Sequence, residues 1–279
     1  VGDPIAQVKS PNGVTRALEA RGADAICIPA QVAPADFAAY MAAIRVTKNV
    51  DGLIVTVPHK FAAHDLCDSV TDRGTFLRSV NTIIRRADGT LHGDMFDGLG
   101  FVAHLDQTHS GWESLRPRIL VLGAGGAARG VILPLLDRNP ASITLSNRST
   151  ERAEALIADI LKERPEAPLK IVSWENRSAI LSDADLLINT TSLGMNGQPP
   201  LEIDLSALPA HAIVADIVYV PLETPLLKAA RERGLRTLDG LGMLLHQAVP
   251  GFARWFGVKP VVTSELRAHI VADLLPKPD

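Results

Sequence analysis

The chain has 279 residues, with 28 Lys and Arg against 31 Asp and Glu and a formal charge of -3. That near-balance argues against nucleic acid or an anionic membrane as the main partner, since both demand clustered positive charge. No run reaches the roughly 18 apolar residues that span a bilayer. With 47% hydrophobic and 21% charged residues the chain can bury a sizeable core, and an aromatic share of 4% makes that core aliphatic and Ala-rich. Cys27 and Cys67 cannot build a disulfide framework or a four-ligand zinc site; each sits among apolar residues and reads as a buried small hydrophobe, which suits a cytoplasmic location.

In the first third, short β-rich runs at Ala25–Ile28 and Gly52–Val57 alternate with a helical pattern over Pro34–Ile44. Pro34 suits a first helical turn, where its missing N–H costs nothing. Val80–Arg85 and Thr90–Gly93 flank Ala87-Asp88-Gly89, a hairpin signal because Asp-Gly tolerates positive φ. A polar stretch from Asp106 to Arg118 leads into the strongest strand, Ile119–Leu122. A helix over Ala127–Arg138 and a strand at Ser142–Ser146 follow. The helix over Thr150–Glu163 opens with Ser149, Thr150, Glu151 and Glu154, hydroxyl and carboxylate groups that suit a helix N-terminus. Further strands are predicted at Leu169–Val172, Leu186–Asn189, Ile213–Ile217 and Leu235–Thr237, with a helix over Pro225–Arg233 before the last. The alternation implies a parallel sheet with crossover helices. The C-terminal stretch is helical in pattern.

Gly123-Ala124-Gly125-Gly126-Ala127-Ala128 fits G-x-G-x-x-(G/A), directly after a strand and at the opening of a helix. Gly123 allows the tight turn, Gly125 lets backbone approach a pyrophosphate, and Ala128 keeps the helix close to the sheet. Without its context the same run would be a Gly/Ala-rich helix start. At the end of the second strand an NAD site usually carries an acidic residue for the ribose hydroxyls. Here stand Asn147-Arg148-Ser149, with Arg152 one turn on. Two guanidinium groups and two hydroxyls suit a 2′-phosphate, which favours NADP. An Arg148 that merely stacks on adenine would leave NAD acceptable.

Thr56-Val57-Pro58-His59-Lys60 ends a strand run with a potential acid–base lysine, and Gly93-Asp94-Met95-Phe96-Asp97-Gly98 places two carboxylates in a glycine-flanked turn. Taken singly, a lysine and an aspartate of this kind serve as solvated charge and helix cap. His59 reads as structural or as support for a neighbouring site residue, and His104, His109 and His246 show no metal-ligand spacing.

In this order, the motifs resemble those of the shikimate dehydrogenase family over nearly the whole chain. Gly2-Asp3-Pro4-Ile5-Ala6 with Lys9-Ser10-Pro11 looks like its N-terminal substrate motif, Thr56 to Lys60 its V-T-x-P-x-K, Ser79-Val80-Asn81-Thr82 its A-V-N-T, and Asp97 the last Asp of its G-D-N-T-D-G. Gly123 to Ala128 matches its cofactor loop and Asn147-Arg148-Ser149 its N-R-T. Asn189-Thr190-Thr191-Ser192-Leu193-Gly194-Met195 is similar to its N-A-T-x-x-G-M on the nicotinamide side. Asp216-Ile217-Val218-Tyr219, Thr224-Pro225-Leu226-Leu227, and Gly240-Leu241-Gly242-Met243-Leu244 with Gln247 complete the series.

The resemblance implies an α/β protein of two α/β domains. An N-terminal substrate domain (1–97, completed by 239–279) and a Rossmann-type NAD(P)-binding domain (98–238) would have a cleft between them. It implies a reversible, NADP-dependent and metal-free reduction of 3-dehydroshikimate to shikimate. Lys60 and Asp97 would be the acid–base pair. Ser10, Thr56, Asn81, Asp97 and Gln247 would hold the ring acid, with Tyr219 nearby. Gly123, Ala124, Gly125, Gly126, Ala127, Asn147, Arg148, Ser149, Arg152, Asn189, Thr191, Met195 and Gly240 would hold the cofactor. The partner expected is a small cyclic hydroxy acid, with monomer and homodimer both open.

Two departures bear on substrate. The family's H-S-x-S is Gln7-Val8-Lys9-Ser10 here, so Val8 replaces a carboxylate-binding hydroxyl, a loss of about 1.5–3 kcal/mol. Its Asn-Thr is Met95-Phe96, expected to make that wall of the site greasier. A specialised relative using NAD, quinate, aminoshikimate or another cyclic hydroxy acid is therefore the alternative. A dinucleotide-binding regulator without catalysis would show tight cofactor binding and no turnover. A dehydrogenase of folate one-carbon units would have no use for Asn81 and Asp97 together.

Overall fold

The computed structural model describes residues 1–5 and 10–274, the side chains of Ser10, Leu115 and Asp273 excepted. The chain divides into two compact units, Val1–Gly100 with Leu245–Asp279, and Phe101–Leu244.

Unit 1 begins with α1 (Ser10–Glu19), a 3-10 turn at Pro34–Asp36 and α2 (Phe37–Val46). Strand β1 (Gly52–Ile54), α3 (Lys60–Leu66), β2 (Ser69–Val70), α4 (Asp72–Leu77), β3 (Thr82–Arg85) and β4 (Leu91–Asp94) follow, and α5 (Asp97–Thr108) begins here. The sheet runs β1-β3-β4-β2, with β3 antiparallel to both neighbours and β2 parallel to β4. Pro34 occupies the first turn, as its fixed φ favours. The hairpin forms at Asp88-Gly89: Gly89 takes φ 87°, and the Asp88 carboxylate accepts hydrogen bonds from the Thr90 N–H and hydroxyl. Phe37, Met41 and Ile44 of α2 bury against Leu53, Val55, Ile83 and Leu91. Full burial of each such side chain stabilises by roughly 1.5–3 kcal/mol.

Three expectations change here. Ala25–Ile28 forms no strand, because the Thr15 hydroxyl oxygen takes both backbone groups of Cys27, accepting from its N–H at 2.9 Å and donating to its carbonyl at 3.2 Å. Ile26 and Ile28 are left exposed. The strand expected over Gly52–Val57 ends at Ile54, since the Thr56 N–H turns to the Val1 carbonyl. Cys27 and Cys67 are half-buried rather than buried, and desolvation pushes the Cys67 thiol up to about 12.

Unit 2 contains β5 (Arg118–Leu122), α6 (Gly126–Leu136), β6 (Ser142–Asn147), α7 (Thr150–Glu163), β7 (Leu169–Ser173), β8 (Leu186–Asn189), β9 (Ile213–Asp216), α8 (Pro225–Glu232) and β10 (Arg236–Leu238). All six strands are parallel in the order β10-β9-β8-β5-β6-β7. From β5 the chain grows outward through β6 and β7, then returns to β8 and grows the other way. The direction therefore switches between β5 and β8, and ligands of such sheets bind at the carboxyl ends beside that point. The continuous apolar runs of β5, β8 and β9 follow from burial on both faces. The polar stretch 106–118 is not one loop: α5 reaches Thr108, and Trp112 in a following 3-10 turn is buried, its indole N–H donating to Asp106 Oδ1 at 2.9 Å.

Helix α9 (Gly240–Phe256) and α10 (Ser264–Leu274) close the chain. In unit 1, the Trp255 indole N–H donates to the Ile83 carbonyl, and its ring lies where a Cβ on Gly52 would fall. That close approach holds the last turn of α9 on the sheet. No helix among the described residues is long and apolar enough to cross a membrane.

Candidate active site

Within unit 1, Lys60 is the first residue of α3 and Asp97 the first of α5, where a carboxylate favours the positive end of the helix dipole. Lys60 Nζ donates to Asp97 Oδ2 at 2.7 Å, and both side chains are about a quarter exposed, at 24% and 22%. Asn81 Nδ2 donates to the other oxygen, Asp97 Oδ1, at 2.7 Å and to Gln247 Oε1 at 3.0 Å. Asn81 and Gln247 are buried. The amide orientation of Asn81 is forced: its Oδ1 accepts from the Phe96 N–H at 3.0 Å, a group that can only donate, and from the Thr82 hydroxyl. One ammonium, one carboxylate and two amides thus form a continuous polar strip with the charges facing solvent.

Beneath the strip, His59 is buried with its ring stacked on Phe37 (centroids 4.2 Å apart) and Nε2 2.7 Å from the Val32 carbonyl. Its ring is thus committed to packing and to a backbone contact. Thr56 is half-buried, and its carbonyl accepts from the His59 N–H. The Ser10 side chain and Val8 lie outside the described residues.

Of the two carboxylates in the 93–98 segment, only Asp97 meets Lys60. Asp94 is fully buried. Its Oδ1 accepts from Thr71 Oγ1, from Arg73 Nε and Nη2, and from the Met95 N–H, while Arg254 Nη2 stands 3.3 Å from Oδ2 without an aligned hydrogen bond. Met95 and Phe96, expected to make one wall of the site greasier, are buried at 6% and 1% exposed, and the Phe96 ring has the guanidinium carbons of Arg73 and Arg254 at 5.2 and 5.8 Å. Such contacts with a ring face are attractive for a cation.

In unit 2 the glycine loop follows β5. Gly123 takes φ 110°, and a Cβ there would lie 2.6 Å from Thr190 Oγ1, so only glycine fits. Gly125 is different. Its backbone is extended (φ -90°, ψ -170°), and a Cβ on it would meet nothing within 4 Å; the same open space surrounds Gly126. Neither packing nor conformation demands glycine at these two positions, whereas close approach of a ligand does. No side chain caps α6, so its first-turn N–H groups are available to phosphate. Ala124 and Ala127 are half-buried around this open face.

At the end of β6, Ser149 caps α7 by accepting from the Arg152 N–H at 3.3 Å and donates to Glu151 at 2.7 Å. Asn147 Nδ2 donates to the Ser149 carbonyl and fixes the turn. Arg148 and Arg152 are exposed and make no side-chain hydrogen bond or ion pair among the described residues. The residues present therefore fit a phosphorylated dinucleotide: an open glycine shelf, an uncapped helix and two unspent guanidinium groups.

At the carboxyl ends of β8 and β9, Asn189 is buried and bonded inwardly: Nδ2 donates to Leu193 O and Asp216 Oδ1, and Oδ1 accepts from the Thr191 N–H and hydroxyl. Met195 is 40% exposed and Tyr219 half-buried. A Cβ on Gly240 would lie 2.1 Å from the Ile217 carbonyl, so this glycine is explained by backbone packing. Sequence reasoning gave Asp216 no role, although it opens the Asp-Ile-Val-Tyr motif. It is buried, accepting from Asn189 and the Val218 N–H at Oδ1 and from Thr224 Oγ1 at Oδ2. Burial pushes it up to about 6 against the pull of those three donors.

This has a consequence for stability. The unfolded chain ionises Asp216 near 3.8 and the folded chain near 6, so the folded state binds the extra proton between those values. Stability present below pH ~4 falls as pH rises through that window, by at most about 3 kcal/mol. Urea unfolding of Asp216→Asn against wild type from pH 4 to 7 is expected to show this decline reduced by roughly 2–3 kcal/mol in the variant. Equal pH slopes would contradict the assignment.

No group of three or more His, Cys, Asp or Glu that could hold a metal ion occurs among the described residues.

The substrate-binding domain model of shikimate dehydrogenase matches residues 1–83, the shikimate/quinate 5-dehydrogenase model residues 107–195, and the shikimate 5′-dehydrogenase C-terminal domain model residues 240–262. The shikimate dehydrogenase (NADP(+)) of Methylobacterium radiotolerans is 49% identical over 276 residues, 98% of this chain and 96% of that protein. Quinate dehydrogenase from Corynebacterium glutamicum, solved in complex with NAD, superposes with a TM-score of 0.87 at 28% identity, covering 97% of this chain and 96% of its own. Shikimate 5-dehydrogenase from Thermus thermophilus, solved with NADP(H) and shikimate, gives 0.84 at 27% identity, covering 98% and 97%. With its α/β architecture, glycine loop and ordered motifs, the chain belongs to the shikimate dehydrogenase family.

Proposed function

We propose that the protein is an NADP-dependent shikimate dehydrogenase, interconverting 3-dehydroshikimate and shikimate. The observation that carries this reading is the Lys60–Asp97 pair, joined to Asn81 and Gln247 in one hydrogen-bonded strip. NADPH, when bound, supplies the hydride that reduces the ring ketone. With that hydride and one proton from the protein, the ketone would become the alcohol.

The proton is the protein's task. Lys60 Nζ donates it to the oxygen that becomes the hydroxyl and, in oxidation, accepts it back. A partly exposed ammonium exchanges protons with water between turnovers. Asp97 aims Nζ through one oxygen while Asn81 holds the other, so the carboxylate cannot swing away. Asn81 and Gln247 offer amide edges suited to vicinal hydroxyls, and Thr56 lies in the same segment as Lys60. The Ser10 hydroxyl and Tyr219 complete the substrate set in this reading.

The cofactor half rests on the open face at Gly125 and Gly126, the uncapped start of α6, and Arg148 with Arg152 for the 2′-phosphate. We assign Gly123, Ala124, Ala127, Asn147 and Ser149 to the shape of that site. Asn189, Thr191, Met195 and Gly240 we assign to its nicotinamide end. The free thiols of Cys27 and Cys67 suit a reducing, cytoplasmic setting.

Gly125→Ala separates site from fold: the melting temperature is expected to stay near wild type, because the added methyl meets only open space, while NADPH affinity drops about tenfold or more as the methyl intrudes on the pyrophosphate. A melting scan and a fluorescence titration check it. The reading as a whole is tested by incubating the purified protein with shikimate and NADP+. Nicotinamide reduction with a product two hydrogens lighter supports it; tight NADP+ binding without turnover of any cyclic polyol refutes it.

A further inference from the structure

We propose that Asp216 is the positioning residue that shapes the nicotinamide end of the cofactor site, separately from the adenosine end. The inference rests on the dinucleotide reading above. The direction switch between β5 and β8 divides the carboxyl edge of the sheet into two halves, and a dinucleotide lies across such a point. The free guanidinium groups stand at the end of β6, so the adenosine half belongs on that side. The loops after β8 and β9 are left for the other nucleotide.

Those two loops are tied through one carboxylate. Asp216 Oδ1 accepts from Asn189 Nδ2, which starts the 190–195 loop, and from the Val218 N–H, in the loop carrying Tyr219. Asp216 Oδ2 accepts from Thr224 Oγ1 at 2.7 Å, and Thr224 Oγ1 in turn accepts from the Leu227 N–H and caps α8. The loops meet again where the Asn196 N–H donates to the Val220 carbonyl. Gly194, at φ 88°, places its α-carbon so that a Cβ would lie 3.6 Å from Thr224 Cβ. Met195, the partly exposed end of this loop, therefore takes its place from Asn189, Thr224 and, through both, Asp216. No ligand needs to touch the carboxylate, which is 1% exposed.

Asp216→Ala removes all three acceptor contacts, whereas Asp216→Asn keeps Oδ1 and lets Nδ2 donate to the Thr224 hydroxyl. The test titrates each variant with NADPH, which has a nicotinamide, and with 2′,5′-ADP, which carries only the adenosine end and its 2′-phosphate. Asp216→Ala is expected to weaken NADPH about tenfold or more and leave 2′,5′-ADP within about twofold, with Asp216→Asn restoring NADPH to within about threefold. A melting curve establishes that each variant is folded. Should Asp216→Ala not fold, Thr224→Val removes the Oδ2 partner together with the α8 cap while leaving the Oδ1 contacts, and is expected to weaken NADPH about threefold while sparing 2′,5′-ADP. Equal losses for both ligands, or unchanged NADPH affinity in a folded variant, would overturn the proposal. Wild type binding neither ligand would instead overturn the dinucleotide reading.

Discussion

Replacing Lys60 by Ala is expected to lower kcat for shikimate oxidation about a thousandfold while the protein melts close to wild type. The two halves of that result have different origins. Positioned general acid–base groups contribute roughly 10²–10⁴ to rate, and Lys60 is the one cation, among the described residues, bonded to the Asp97–Asn81–Gln247 strip. Its ion pair with Asp97 is about a quarter exposed, and solvent-screened pairs of this kind contribute about 0–1 kcal/mol to folding. Loss of rate without loss of fold is thus the signature of a catalytic lysine. Asp97→Asn should follow it with a smaller fall, since the amide can still accept from Nζ but no longer holds the ammonium by charge. Stopped-flow or steady-state rates on both variants, beside their melting curves, decide the matter. Wild-type kcat in folded Lys60→Ala would remove the acid–base assignment.

The second large effect concerns the cofactor. Converting Arg148 and Arg152 together to Ala should raise the Kd for NADP about a hundredfold and leave that for NAD within about threefold. Each guanidinium is exposed and unspent in the protein, so neither substitution breaks an internal bond. The loss then falls on the 2′-phosphate alone, at about 1.5 kcal/mol for each charge-assisted contact at this exposed edge. Glu151, held by Ser149, sits between the two arginines in sequence and becomes the nearest charge when they are gone, which should further disfavour a phosphate. Equal weakening of both dinucleotides would mean that Arg148 and Arg152 serve the adenine or the fold instead.

Much of unit 2 was legible in the sequence because its signals are local. Ile119–Leu122 is a continuous apolar run closed by a glycine, and Ser149 with Glu151 marks the start of α7 to the residue. Unit 1 resisted the same reading. Helix α3 has seven residues, too few for a 3.6-residue period to declare itself, and Lys60 therefore looked like the tip of a strand. Gly98 in α5 made its first turn resemble a loop. Ala25–Ile28 has strand-forming residues, but the decision lay with Thr15, twelve positions away from Cys27.

The site shows the same division. Gly123 and Gly125 announce themselves by spacing. The contact between Asn81 and Gln247 spans 166 positions, and no periodicity or local propensity encodes it; only the resemblance to a family put those residues side by side. The guanidinium groups of Arg73 and Arg254 near the Phe96 ring are likewise far from it in sequence, so no local pattern announced that contact. Asp216 escaped notice because its importance lies in three bonds to separate segments, none of which is adjacent in sequence except Val218.

The most direct test of the account is a single comparison of kcat/KM in the oxidising direction: shikimate and quinate, each with NADP and with NAD. The proposed function predicts the highest value for shikimate with NADP, by about tenfold or more over either change of partner. A highest value for quinate with NAD would contradict both the substrate and the cofactor assignment, and would leave Lys60 and Asp97 serving a different member of the same family.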